Sequence, residues 1–195
     1  FSPDGNWLAF TSARTNTRSN IYLLRLSGGE AEQLTDLKGS VSSIEWSPDG
    51  SLIAFTMADA KTDEEERNDK GRNDFRWIDE NLKMSRLYVV AVAKDASGKR
   101  EPRKLTSENY NLGSFDWSPD SKKIVFNHTK TSGANDWPTS DISVFDFATN
   151  RATVLANTAA AESSPVFSPD GTRIAYTESD VPVRWAQSNR IQIIM

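Results

Sequence analysis

Apolar residues along this chain gather in short runs, not in the stripes that mark amphipathic helices. WLAFTS from Trp7, LIAFTM from Leu52, KIVFNH from Lys123 and RIAYTE from Arg173 are rich in Ile, Leu, Phe and Tyr and are bounded by turn residues. Each is too short for a stable helix, so each predicts a strand. Alternation within them is weak, which predicts sheets covered on both faces. Shorter runs precede them: SIEW ends at Trp46, SFDW at Trp117 and SPVF at Phe167, with only Phe1 ahead of the first copy. A third set follows, IYLLRL from Ile21, LYVVAV from Leu87, ISVFDF from Ile142 and IQIIM from Ile191. The first three units close with AEQLT ending at Thr35, PRKLT at Thr106 and RATVL at Leu155.

The first two strands of each unit are joined by one phrase, SPDG or SPDS, starting at Ser2, Ser47, Ser118 and Ser168 at intervals of 45, 71 and 50 residues. Its chemistry is that of a turn. Ser bonds the turn backbone, Pro presets φ, Asp (Asp4, Asp49, Asp120, Asp170) tolerates the bridge region, and Gly (Gly5, Gly50, Gly171) accepts a left-handed conformation. Together these predict a type I turn with a bulge between antiparallel strands. Ser121 replaces the glycine in the third copy, at a cost on the order of 1 kcal/mol for a non-Gly residue in that conformation.

Four antiparallel strands per unit, repeated at this spacing, predict an all-β fold: a partial β-propeller of four-stranded blades, about half of a seven- or eight-bladed ring. The blade remnants are 1–38, 39–108, 109–158 and 159–195, with a charged insertion at 58–84 and no catalytic domain. Ala9, Ala54, Val125 and Ala175 share one position of the second strand, where a neighbouring blade must come close. The adjacent Phe10, Phe55, Phe126 and Tyr176 are expected to fill the wedge outward. The chain starts within the first copy, so the first blade reads as truncated and the remaining blades as missing partners.

Composition narrows the function classes. A 37% hydrophobic and 10% aromatic content is that of a globular protein. The net charge of −4 and the dispersed Lys and Arg offer no basic field, so nucleic acid is not an expected partner. Cysteine is absent, which removes disulfides and thiol chemistry and leaves the compartment, periplasmic or secreted or cytoplasmic, unassigned. No apolar run approaches the roughly 18 residues of a membrane span. No G-x-S-x-G elbow occurs, and the single histidine, His128, sits at a repeat position held elsewhere by Ser12, Met57 and Glu178. No catalytic residue, metal site or cofactor is expected in this chain.

The repeat resembles the PD40, or TolB-like, propeller repeat: FSPDGNWLAFTS followed by NIYLLRLSGGEAEQLT carries SPDG, IAF-like, IY, GG and LT in order. That repeat occurs both in non-enzymatic, protein-binding TolB-like propellers of the bacterial envelope and in the N-terminal propellers of prolyl oligopeptidase (S9) serine peptidases. The RWIDENLKMSRLYVV and SGANDWPTSDISVFD stretches are similar to bacterial acylaminoacyl-peptidase and dipeptidyl-peptidase members. The resemblance implies a propeller that caps an α/β-hydrolase domain, gates entry of peptide substrates and is itself non-catalytic. A scaffold or sensor propeller is a third reading.

The strongest departure from the repeat is ADAKTDEEERNDKGRNDFRWIDENLKM, residues 58–84, which adds about twenty residues to the loop. Thr62 and Glu65 form a capping box, predicting a helix near residues 63 to 70. Long ordered insertions on propellers often bind, so Glu64, Glu65, Glu66, Arg72 and Arg76 are candidate substrate-binding residues. The glutamates invite comparison with the amine-binding glutamates of some dipeptidyl peptidases. Trp137, in SGANDWP, is a candidate rim aromatic facing substrate or another domain, and VPVRW ending at Trp185 invites the same reading.

Overall fold

The computed structural model describes residues 1–14, 18–71, 80–186 and 188–195. Its strands form four antiparallel sheets in chain order. Blade 1 contains β1 (Trp7–Ser12), β2 (Asn20–Arg25) and β3 (Glu32–Gln33). Blade 2 contains β4 (Val41–Trp46), β5 (Leu52–Ala58), β6 (Ser85–Ala91) and β7 (Arg103–Lys104). Blade 3 contains β8 (Asn111–Trp117), β9 (Lys123–Thr129), β10 (Asp141–Asp146) and β11 (Arg151–Ala156). Blade 4 contains β12 (Glu162–Phe167), β13 (Ile174–Ser179) and β14 (Asn189–Ile194). The fold is an all-β propeller segment, two four-stranded sheets between two three-stranded ones.

The SPD phrase folds alike each time. In the first copy the Gly5 amide donates to Ser2 O at 2.9 Å and the Ser2 amide to Trp7 O at 2.9 Å. Gly5, Gly50 and Gly171 have φ of 70°, 73° and 69°, and Ser121 matches them at 60°. Each Asp accepts from the Ser hydroxyl two residues earlier, at 2.5 to 2.7 Å. These bonds hold the four turn carboxyls below the usual range, with Asp4 and Asp170 lowered to about 2. Turns of neighbouring blades also meet: the Asp49 amide donates to Ser121 Oγ at 3.0 Å.

The blade cores lie between sheets. Ala54 shares a cluster with Trp117, Phe126 and Phe145 of blade 3, whereas adjacent Phe55 joins Ile21 and Leu23 of blade 1. Val125 likewise packs with Ile174 and Tyr176 of blade 4. Period-2 alternation explains this arrangement. The small residue faces the following blade and receives its aromatic ring, so the rings pack between blades and do not simply fill an outer wedge. Phe55 and Phe126 are fully buried, contributing about 2 to 3 kcal/mol each. Five central residues of both β5 and β9 are buried, as expected of strands covered on both faces, whereas β1 and β13 are covered less completely.

Because every blade follows the same antiparallel course, the SPD turns emerge on one face. The connections between second and third strands emerge on the other. We call these the turn face and the loop face.

Candidate functional site

The loop face carries the departures from the repeat. Within the blade 2 insertion, α1 (Asp63–Lys70) starts with a reciprocal capping box: Glu65 N donates to Thr62 Oγ1 at 3.2 Å and Thr62 N to Glu65 Oε2 at 2.6 Å. Four acids in its first turn complement the helix dipole. None of its residues is buried, so tethers from outside the helix hold it. Glu65 pairs with Lys83 at 2.7 Å, and Glu66 with Arg18 of blade 1 at 2.6 Å. The Lys83 bond and the Thr62 amide lower Glu65 to about 2.

The root of the insertion is stronger. Arg86, 8% exposed, donates Nε and Nη2 to Asp59 Oδ2 at 3.0 and 2.9 Å, and Nη1 to the carbonyls of Glu108 and, at 3.0 Å, Tyr110. Burial alone would raise Asp59, but the Arg86 bonds and charge, with Lys104, hold it below the usual carboxylate range. The Asp59 amide also donates to Met84 O at 2.9 Å, closing the neck of the loop.

The candidate residues divide by location. Glu64 is exposed, and Glu65 and Glu66 are engaged by cations of this chain. Arg72 and Arg76 lie outside the described residues. Trp137, half-buried on a 3-10 turn (Ala134–Thr139), meets Trp185 of blade 4 with ring centroids 5.2 Å apart and planes at 47°. Trp185 is 83% exposed, and Val181 beside it 63%. A cleft of about 400 Å³ adjoins them, lined by Asp180, Val181, Pro182, Arg184, Ala186 and Arg190. The structure thus joins Trp137 to a residue of the next blade and ties α1 to blade 1.

His128 is a packing residue. It is 8% exposed, its Nε2 lies 2.8 Å from Ser143 Oγ, and its ring stacks on Tyr110 at 4.1 Å. Burial pushes its pKa down, with the Glu108 charge acting the other way. Ser143 is 2% exposed, so this Ser–His contact is closed to substrate. Among the described residues no cluster of three or more His, Cys, Asp or Glu could hold a metal, and no helix is long and apolar enough to cross a membrane.

Sequence reasoning missed the carboxyls of the inner strands. Glu45, Asp116 and Val166 lie opposite Ala54, Val125 and Ala175 in register, the same position in successive blades. Burial and the Asp116 carboxylate push Glu45 up to about 7. Burial also raises Asp116, even though its Oδ2 accepts the Phe167 amide of blade 4 at 2.6 Å. Alignment of SIEW on SFDW carries the signal, an acid directly before the Trp.

Comparison with known proteins agrees with this architecture. The WD domain, G-beta repeat family (WD40) matches residues 31–60. The chain is 31% identical over 148 residues to the uncharacterized peptidase YuxL of Bacillus subtilis, a match covering 69% of the chain and 22% of that protein. It is 28% identical over 145 residues to dipeptidyl-peptidase 5 of Porphyromonas gingivalis, covering 70% of the chain and 18% of the relative. It therefore spans about a fifth of the length of these relatives, 22% and 18%. In fold it is similar to a TolB protein from Agrobacterium tumefaciens (TM-score 0.60, 23% identity, 100% of this chain and 59% of that one). It is also similar to the Pyrococcus horikoshii acylaminoacyl peptidase (TM-score 0.64, 17% identity, 98% and 29%). The chain is a segment of a PD40/TolB-like β-propeller, similar at low identity to S9-like peptidases over about 70% of its length.

Proposed function

We propose that this chain is part of the capping propeller of an S9-type serine peptidase, a non-catalytic segment that gates peptide entry to an α/β-hydrolase domain of a larger protein. Its units run 1–38, 39–108, 109–158 and 159–195, and further blades cover the apolar face of blade 4, where Val166, Ile191 and Ile193 are 50%, 75% and 61% exposed. The observation that carries the reading is the asymmetry of the two faces. Four near-identical turns occupy one; α1 and the Trp137–Trp185 pair occupy the other. Exposed tryptophan is rare on a surface that meets only water and common where a partner is bound.

On this reading the loop face meets the hydrolase domain or the incoming peptide. Trp137 and Trp185 supply apolar contact. Glu64, flanked by the engaged Glu65 and Glu66, offers a carboxylate to a substrate amine, and Arg72 and Arg76 complete the set. The test uses the longer parent protein, assayed on short peptides and on folded proteins. Fluorophosphonate-sensitive hydrolysis of the peptides alone is the expected result. Absence of a serine hydrolase in the parent favours the second reading, a TolB-like protein-binding propeller, which rests on the fold likeness across the whole chain. Separately, Ala substitution at Glu64, Glu65 and Glu66 that leaves KM for free-amine substrates unchanged removes the amine-binding role.

A further inference from the structure

Every blade boundary within the chain is bonded at an equivalent place. The strand that follows the loop-face connection, β2, β6 or β10, begins by holding the segment that enters the next blade. In blade 1, Asn20 Oδ1 accepts the Leu37 amide at 2.9 Å and Ser19 O the Val41 amide at 2.8 Å. In blade 2, Arg86 donates Nη1 to the carbonyls of Glu108 and Tyr110, just ahead of β8. In blade 3, Ser140 Oγ donates to Glu162 O at 2.5 Å, and Ser140 O accepts the Glu162 amide at 2.7 Å. Blade 4 repeats the pair found in blade 2. Arg86 and Arg190 stand at the same register position, opposite Met57 and Glu178, and Asp59 and Asp180 each lie two residues beyond those partners. The Asp180 amide donates to Ser188 O at 3.2 Å, as the Asp59 amide does to Met84 O at 2.9 Å. Arg190 Nη2 donates to Asp180 Oδ1 at 3.0 Å, as Arg86 Nη2 does to Asp59 Oδ2 at 2.9 Å.

What differs is the cover. The Arg86 side chain is 9% exposed beneath the segment entering blade 3, whereas that of Arg190 is 70% exposed and borders the cleft of about 400 Å³. Leu87 and Val89, further along β6, share a core with Trp117 of blade 3. Ile191 and Ile193, at the same positions of β14, are 75% and 61% exposed. We propose that Asp180 and Arg190 form a latch for a following blade: Arg190 keeps Nη2 on Asp180 and gives Nη1 to two main-chain carbonyls of the segment that enters that blade. A guanidinium suits this task, because its planar fork serves several acceptors at once while the carboxylate fixes its orientation. An ammonium has the charge without the fork. The latch also anchors the loop that carries Trp185, since Asp180 and Ser188 close the neck of that loop. It rests on the reading that further blades follow β14, and it supplies the contact that seats the first of them.

The test labels arginines of the intact parent protein with phenylglyoxal and follows each site by mass spectrometry. Arg86 is the covered control and Arg151, exposed on β11, the open one. A covered guanidinium reacts only when its contact opens, so the expected result is Arg190 modified about tenfold more slowly than Arg151, in step with Arg86. Labelling of Arg190 at the Arg151 rate, with an SPD-type blade following β14, overturns the latch alone. A parent with no blade after β14 overturns the underlying reading and the latch with it. Protection that fades on dilution assigns the cover to a second copy and also overturns the proposal. Because burial of any kind would protect Arg190, a second readout asks for the fork. Arg190→Lys, which keeps the charge, and Arg190→Ala are expected to lower the thermal midpoint of the parent alike, by roughly 2 °C. A lysine variant with the wild-type midpoint overturns the carbonyl contacts.

Discussion

The turn face and the loop face are built on the same strands, yet they use sequence in opposite ways. On the turn face one tripeptide, SPD, is reused four times, and each Asp satisfies its own turn by bonds within a few residues. On the loop face each connection differs in length and chemistry, and part of what holds it comes from other blades: Arg18 for Glu66, Trp185 for Trp137. A turn that closes largely on itself tolerates repetition, with the Asp49–Ser121 bond its link to a neighbouring blade. Loops that depend on neighbours are free to diverge, and they are where a binding surface is expected. The contrast sets a repeated, self-contained frame against a variable face that the proposed reading makes the working one.

Substitutions can break that contrast. The largest effect is expected at the root of the loop face: Arg86→Ala leaves Asp59 with Lys104 alone, at 3.6 Å, and strips two carbonyls of their donor, at a cost of about 2 to 3 kcal/mol after allowing for the partial exposure of Asp59. Chemical denaturation measures this directly, and a loss confined to the loop face would appear as local hydrogen exchange without a change in the global midpoint. Next comes the turn face, where Asp49→Ala removes bonds to Ser47 Oγ, Ser51 N and Ser51 Oγ, worth about 1 kcal/mol in an exposed turn.

Ser121 sharpens the comparison further. Its left-handed φ of 60° carries a cost that glycine would relieve, but its hydroxyl accepts the Asp49 amide across the blade interface. Ser121→Gly is therefore expected to be neutral within about 0.5 kcal/mol, whereas Ser121→Ala, which loses the bond and keeps the strain, costs about 0.5 to 1 kcal/mol. Denaturant midpoints of the two variants check the order. The smallest effect belongs to Trp185→Ala, which leaves stability within about 0.5 kcal/mol because the ring is exposed. Its consequence is expected only in the parent protein, as a raised KM or weaker domain contact.

The pH response follows from the same division. The turn carboxyls are lowered, so their contribution is complete above the ordinary carboxylate pKa and disappears as pH falls toward about 2. Glu45 and Asp141 are raised, to about 7 and about 6, so the folded chain binds extra protons and stability falls as pH rises from about 4 through these values. Neutral, buried His128 works against them, adding stability as pH rises toward 6.5. Melting across this range should find the turn-face contribution lost in acid and the inner-strand contribution lost above neutrality.

The repeat made the strands, the turns and α1 legible, because those depend on residues close in sequence: Pro and Gly at fixed places, Thr62 three positions before Glu65. Contacts between blades were harder to read. Small and aromatic neighbours such as Ala54 and Phe55 announced tight packing, but only the sheet register reveals that they face opposite blades. Trp137 was a candidate on its own, while its pairing with Trp185, across two unrelated loops, has no local signal. Asp116 is illegible for a similar reason, since the acid before the Trp gains meaning only once its carboxyl meets the Phe167 amide of the next blade. In the sequence Ser121 reads as an imperfect copy of glycine, and its bond to the Asp49 amide gives the hydroxyl a role that no local signal announces.

The central claim is that the loop face is the working face. Lysine crosslinking of the intact parent protein, read by mass spectrometry, tests it most directly, because both faces carry lysines. Lys61, Lys70, Lys83 and Lys130 lie on the loop face, and Lys94, Lys99 and Lys122 on the turn face. The account predicts crosslinks from the loop-face lysines to a hydrolase domain or bound partner, with the turn-face lysines linking only within the propeller. Crosslinks from Lys94, Lys99 and Lys122 to that domain, with none from the loop face, would contradict it.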